Sequence, residues 1–154
     1  MKNNSKTVSR LKPLDKFDEA ILAELQKEGR IAVAELSERI GLSVTPCWRR
    51  VRRLEESGII RGYTALIDFA ALGLSLDVFV EVDLDLRESN KFEEVINGRR
   101  EVIECYAVTG DCDYQLHVIV ADMSACDRFL REDLVHFPGV KGVKTRLALK
   151  SIKQ

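Results

Sequence analysis

Four arginines, Arg49, Arg50, Arg52 and Arg53, fall within five consecutive positions of the segment TPCWRRVRRLEESGII, in a chain whose formal net charge is only -1. Guanidinium groups crowded together repel one another, so the arrangement does nothing for stability alone and suits a surface that meets a polyanion. Arginine can give two parallel hydrogen bonds to guanine in the major groove of DNA, or pair with phosphates. The alternative is a solvated helix face partly neutralised by Glu55 and Glu56, which leaves the crowding unexplained. A second stretch able to do chemistry is TGDCDY, Thr109 to Tyr114. Gly110 is free to take a positive φ and bring backbone N–H groups toward an anion, while Asp111 and Asp113 can accept from an ammonium group. A zwitterionic amino acid needs both. The same residues also serve an ordinary hairpin turn, and both readings stand on these residues alone.

Other chemistries have less to work with. Cys47, Cys105, Cys112 and Cys126 form no C-x-x-C, and His117 and His136 are not spaced like metal ligands, so reduced thiols and no metal are expected. An enzyme using Cys105 or Cys112 with His117 as base lacks a third group to orient the histidine and leaves the arginines idle. No catalytic residue is assigned. No apolar run approaches the roughly 18 residues of a membrane span, and MKNNSKTVSR lacks the apolar core of a signal peptide, so a cytoplasmic location is expected. Without a secretory signal, the glycosylation match at Asn3-Asn4-Ser5 carries no weight.

The elements that must position the arginines follow from apolar spacing. Phe17, Ile21, Leu22 and Leu25 recur at helical intervals, with Asp15 as N-cap and Gly29 past the end; Leu36 and Ile40 repeat the pattern up to Gly41. A third helix is expected with Thr45 as N-cap, Pro46 at the first helical position and Gly58 as the stop. At roughly 100° per residue, Cys47, Val51 and Leu54 share one sector, which must face a core. Arg49, Arg52 and Arg53 then point away from it, Arg50 lies on a flank, and Trp48 sits between core and arginine face. One helix following another after a tight glycine turn is a helix-turn-helix, whose second helix fits the major groove with its N-terminal turn deepest. IIRGYTALID reads as a short hairpin or wing leading into a connecting strand, from which Arg61 could reach a phosphate.

From Asp77 onward the period changes from helical to alternating. Val78, Val80, Val82, Leu84 and Leu86 fall on one side of a strand. A helix in NKFEEVINGRRE, strands in VIECYAVT and DYQLHVIV, a helix in MSACDRFLREDLVHF, a PGVKG turn and a last strand in VKTRLALKSI complete the order βαββαβ. That is a ferredoxin-like split unit with helices on one face of its sheet. The other face would expose Phe79 and Tyr106, which a second subunit would cover. The class is therefore α+β, divided into an N-terminal tail (1–12), a helix-turn-helix domain (13–62), a connecting strand or linker (63–76) and a sensing and oligomerisation domain (77–154). Charge follows the division. Residues 1–63 hold 13 Lys and Arg against 9 Asp and Glu, whereas residues 64–154 hold 11 against 16.

The blocks AELSERIGLSVTPCWRRVRRLEESGIIRGYTALID and VTGDCDYQL, in this order and separation, resemble the Lrp/AsnC (feast/famine) transcriptional regulators from about Leu14 to Lys153. The resemblance implies a winged helix-turn-helix reader of double-stranded DNA and no enzyme. It implies a dimer through the C-terminal sheets, with tetramers or octamers above it, and a small amino-acid effector that modulates DNA binding or assembly. On the helix geometry above, DNA contacts are expected at Thr45, Pro46, Trp48, Arg49, Arg52, Arg53 and Arg61. By the same resemblance, the effector falls to Thr109, Gly110, Asp111, Asp113 and Tyr114, in a loop lining clefts between subunits. Trp48 stands where many relatives carry leucine, which bears on the operator sequence that is read. A rival with the same fold is an architectural DNA-binding protein indifferent to ligand.

Overall fold

The computed structural model describes residues 13–152; the tail assigned to residues 1–12 lies outside the described residues. The chain divides into two compact units, the first ending at Leu66 and the second beginning at Ile67. No helix among the described residues is long and apolar enough to cross a membrane.

In the first unit, α1 spans Lys16–Lys27, α2 Val33–Ile40 and α3 Val44–Glu56. The α1 start is a capping box: Asp15 Oδ1 accepts from the backbone N–H groups of Phe17 and Asp18, and Asp18 Oδ2 accepts from Asp15 N at 3.1 Å. Helix α2 ends at Gly41, whose φ of 71° lies in the left-handed region that favours glycine, and this permits the sharp turn into α3. Ile21, Ile31, Leu36, Cys47, Val51 and Leu54 form the core, with Leu22, Leu25, Val33 and Ile40 packed around it. Each fully buried Leu or Ile contributes about 1.5–3 kcal/mol by leaving water. Arg39 of α2 bonds Glu24 and Glu28 beside α1 as well as its own Glu35, fastening the first two helices along their solvent edge.

Two expectations need correction here. The N-cap of α3 is Ser43, not Thr45, so Thr45 and Pro46 both lie inside the first turn. Proline is tolerated there because N–H groups of the first turn have no intrahelical acceptor. The expected hairpin and connecting strand do not form: residues 61–68 pair with no strand among the described residues. Tyr63 instead anchors the segment by donating from its hydroxyl to Glu55 Oε1 at 2.8 Å.

The second unit is the expected βαββαβ arrangement: β1 Leu76–Leu84, α4 Ser89–Asn97, β2 Val102–Ala107, β3 Tyr114–Val120, α5 Met123–Phe129 and β4 Val140–Leu147. Helix α5 continues as a π-helical segment over Leu130–Val135. The sheet order is β2-β3-β1-β4, with every neighbouring pair antiparallel. Val78, Val80, Val82 and Leu84 of β1 and Tyr114, Leu116, Val118 and Val120 of β3 pack against Phe92 and Ile96 of α4 and Cys126 and Phe129 of α5. Phe79 and Tyr106 stay exposed on the opposite side of the sheet.

Leu86 does not share the buried stripe. The chain leaves the strand at Leu84 and turns through Leu86–Glu88, leaving Leu86 68% exposed. The last strand also starts earlier and stops earlier than the alternation suggests. Gly139 takes a left-handed φ of 90°, so Val140 already pairs with Leu84, and pairing ends where Leu147 meets Val78 near the start of β1.

Candidate nucleic-acid interface and effector loop

Helix α3 buries Cys47, Val51 and Leu54 and exposes Thr45, Pro46, Trp48, Arg49 and Arg52, as the helical sector requires. The four arginines then separate into two pairs. Arg50 Nη1 lies 2.7 Å from Asp15 Oδ2 and 2.8 Å from Asp18 Oδ1, while Arg53 Nη2 lies 2.5 Å from Asp18 Oδ2. Asp18 is 1% exposed, so its charge is tolerated only because these bonds and the capping N–H surround it. Burial pushes the Asp18 carboxyl up, but the backbone bond and the two guanidinium groups outweigh it and hold it below its ordinary range. The Arg50 hydrogen bond does the same at Asp15. Arg53 therefore departs from the expected outward display: an acid on the buried stripe of α1 captures it.

The other pair remains turned outward. Arg49 has no ion-pair or hydrogen-bond partner among the described residues. Arg52 bonds Glu56 Oε1 through Nε at 2.9 Å, and its guanidinium carbon lies 5.3 Å from the centre of the Trp48 ring. Pro46, Arg49, Arg50 and Arg53 line one cleft on this helix. Arg61 is exposed on the unpaired segment beyond α3. A convex helix carrying two outward guanidinium groups beside its exposed first turn can enter a major groove and donate to base edges and phosphates.

The β2–β3 loop likewise separates into free and committed residues. Thr109, Gly110 and Asp111 are exposed, and Gly110 takes a φ of 125° with nothing near the place a Cβ would occupy. Asp113 is tied down: its Oδ2 accepts from Leu84 N at 2.8 Å and its own N–H donates to Val82 O at 3.0 Å. Tyr114 is a core residue, packed against Phe92 and donating its hydroxyl to Glu93 Oε1 at 3.0 Å, with burial first and Glu93 second pushing its pKa up to about 12. Asp113 and Tyr114 thus hold the loop to β1 and the core, correcting the expectation that all five residues turn toward a ligand. Thr109, Gly110 and Asp111 form its presented edge.

The nucleophile alternative fails on geometry for Cys105, although Asp77 supplies the group orienting His117 that the sequence did not show. Cys105 stands opposite Leu116 on the helix-covered side of the sheet, whereas His117 faces the other side, stacked on Phe79 at 4.9 Å and bonded to Asp77 Oδ1 at 2.7 Å. All four cysteines are free thiols. Desolvation raises each thiol pKa, helped by Glu93 at Cys105, by Glu81 and Asp83 at Cys112 and by Asp127 at Cys126, so none is primed as a thiolate. No cluster of three His, Cys, Asp or Glu able to hold a metal occurs among the described residues.

Spacing and alternation did not reveal Asp18 or Val44. Asp18, Ile21, Leu22 and Leu25 stand at helical intervals, so an acid on the apolar stripe was the available signal for the first. Val44 became visible only once the helix start moved back to Ser43, which puts this half-exposed side chain on the first turn.

Comparison with known proteins adds an independent line. The family model for the Lrp/AsnC ligand binding domain matches residues 77–154, and that for winged helix-turn-helix DNA-binding matches residues 14–61. The leucine-responsive regulatory proteins of Salmonella typhimurium and Escherichia coli are each 47% identical over 146 residues, covering 93% of this chain and 89% of theirs. Among solved structures, a transcriptional regulator from Neisseria meningitidis complexed with L-Met superposes with a TM-score of 0.89 at 38% identity, over 92% of this chain and 94% of that one. A feast or famine regulatory protein from M. tuberculosis complexed with L-methionine gives a TM-score of 0.84 at 33% identity, over 92% and 96%.

Proposed function

Because the chain belongs to the Lrp/AsnC family and is a DNA-binding transcriptional regulator, we propose that it reads its operator through the outward face of α3 and answers to a small amino acid at the β2–β3 loop. The observation that carries the DNA reading is the outward pair Arg49 and Arg52 beside the exposed turn of Thr45 and Pro46, with Trp48 along its flank. Arg61 adds a phosphate contact from the segment beyond the helix. Arg53 is left out of the contact set, its guanidinium being committed to Asp18.

Two solved relatives are complexes with L-methionine, which favours an amino-acid effector here over a ligand-indifferent architectural role. Backbone N–H groups around Gly110 suit the effector carboxylate and Asp111 suits its ammonium group, with Thr109 beside them. The exposed apolar residues Phe79 and Tyr106 give a second copy a face to cover, so the regulator works as a dimer or a larger assembly. An effector bound between copies changes operator affinity only through its difference in affinity between arrangements, and operator DNA changes effector affinity by the same factor.

A thermal-shift screen of the twenty amino acids, followed by operator titration with each stabilising one, tests this reading. At least one amino acid should raise the melting temperature and change operator affinity, and Asp111→Ala should erase that change. A uniformly silent screen would favour the architectural alternative.

A further inference from the structure

Val44 and Trp48 lie one helical turn apart on α3 and are 50% and 47% exposed. Neither belongs to the apolar core of its unit, which is built from Cys47, Val51 and Leu54 on this helix. Exposing both at once on the helix face that carries the outward Arg49 and Arg52 gains nothing for folding. Both stand at the end of α3 that a helix-turn-helix inserts deepest.

The neighbours narrow what could cover them. Arg52 lies over the indole and is itself held by Glu56, so the ring is preset rather than free to swing. Arg49, one residue past Trp48, has no partner of its own among the described residues. An apolar strip bordered by outward guanidinium groups fits a surface that is anionic overall and apolar at isolated points. The base edges of a DNA major groove have that character: the thymine C5-methyl is their apolar group, set among hydrogen-bonding atoms and flanked by phosphates. Side chains four apart on a helix are about 5–6 Å apart at Cβ, a span that reaches bases one or two steps apart at about 3.4 Å each.

We propose that Val44 and Trp48 are specificity-determining residues that recognise thymine methyl groups in each operator half-site. The inference rests on α3 being the DNA-reading helix. Arg49 and Arg52 supply charge and hydrogen bonds, while Val44 and Trp48 reject bases that place a polar edge or no methyl against them.

The test uses the full-length chain and DNA selected by it from a random duplex pool. Each thymine of the selected site is then replaced singly by uracil, which removes the methyl and leaves base pairing intact. Wild type should lose about fourfold in affinity for each methyl it buries, at one or two positions per half-site. In Val44→Ala and Trp48→Ala, the uracil-to-thymine ratio at the matching position should fall to about onefold while ratios elsewhere stay as in wild type. The ratio is taken within one protein, so partial unfolding of a variant cancels from it. A flat uracil scan in wild type, or a scan unchanged by both substitutions, would overturn the proposal while leaving DNA reading by α3 intact. Failure to select any duplex would overturn both together.

Discussion

Arg49 and Arg53 stand four residues apart on one helix and carry the same charge, yet the structure uses them for opposite purposes. Arg53 is held at 2.5 Å by a carboxylate that is 1% exposed, so one side of its half-exposed guanidinium is committed to the fold. Arg49 has no partner among the described residues and offers its charge to whatever approaches α3. A cationic cluster in a sequence is therefore not one feature. Half of this one fastens α3 to α1, and the other half is displayed. The β2–β3 loop repeats the contrast: Asp113 anchors through Leu84 N and Val82 O, while Asp111, two residues away, is exposed.

The largest separation between the two arginine roles should come from Asp18. Asp18→Ala removes a capping acceptor and the shared partner of Arg50 and Arg53, and should cost the first unit about 3 kcal/mol in chemical denaturation. The folded Asp18 carboxyl titrates below its unfolded value, so its contribution is present above pH ~4 and lost as pH falls through the folded pKa. Wild type should therefore lose stability on acidification more steeply than Asp18→Asn.

Arg49→Ala should show the mirror image. The melting temperature should hold, while operator binding loses about 1–3 kcal/mol if the contact is to a base. A comparable loss of melting temperature in Arg49→Ala would erase the distinction between the two arginines.

Cys47→Ser sharpens the boundary between the buried and displayed sectors of the same helix. Burying a hydroxyl where the thiol now packs should cost about 1–3 kcal/mol of stability, with operator affinity falling only as the folded fraction falls. Full folding with lost binding would move Cys47 into the DNA interface.

The smallest effect is expected at the loop. Asp111→Ala should change stability by less than about 0.5 kcal/mol, because the side chain is exposed, whereas Asp113→Ala should cost about 1–2 kcal/mol by releasing Leu84 N. Equal costs in parallel thermal melts would contradict the division of the loop.

What the sequence made legible was what local periodicity controls. Ile21 and Leu25, Leu36 and Ile40, and Cys47, Val51 and Leu54 defined three helices by spacing alone, and Val78, Val80 and Val82 defined a strand. Asp15 and Gly41 marked ends because capping and left-handed turns are local events. Features set by partners distant in sequence were hidden. Arg53 read as outward because its position on the α3 wheel says nothing of an acid 35 residues earlier. Tyr114 read as an effector contact, although the sheet turns it onto Phe92. The segment after Gly58 alternated like a strand, but a strand needs a neighbour, and none pairs with residues 61–68 among the described residues. For the β2–β3 loop the residue types were visible, while the anchoring of Asp113 by β1 depended on a sheet not yet built.

The division of labour on α3 is tested most directly by measuring operator affinity against salt for wild type, Arg49→Ala and Arg53→Ala, alongside their melting temperatures. Arg49→Ala should keep the wild-type melting temperature, and for a phosphate contact the magnitude of the log-log salt slope should fall by about 1. Arg53→Ala should lower the melting temperature and, measured where it is fully folded, keep the wild-type slope. The reverse pattern, with Arg53→Ala flattening the slope at unchanged stability and Arg49→Ala leaving operator binding untouched, would contradict the account.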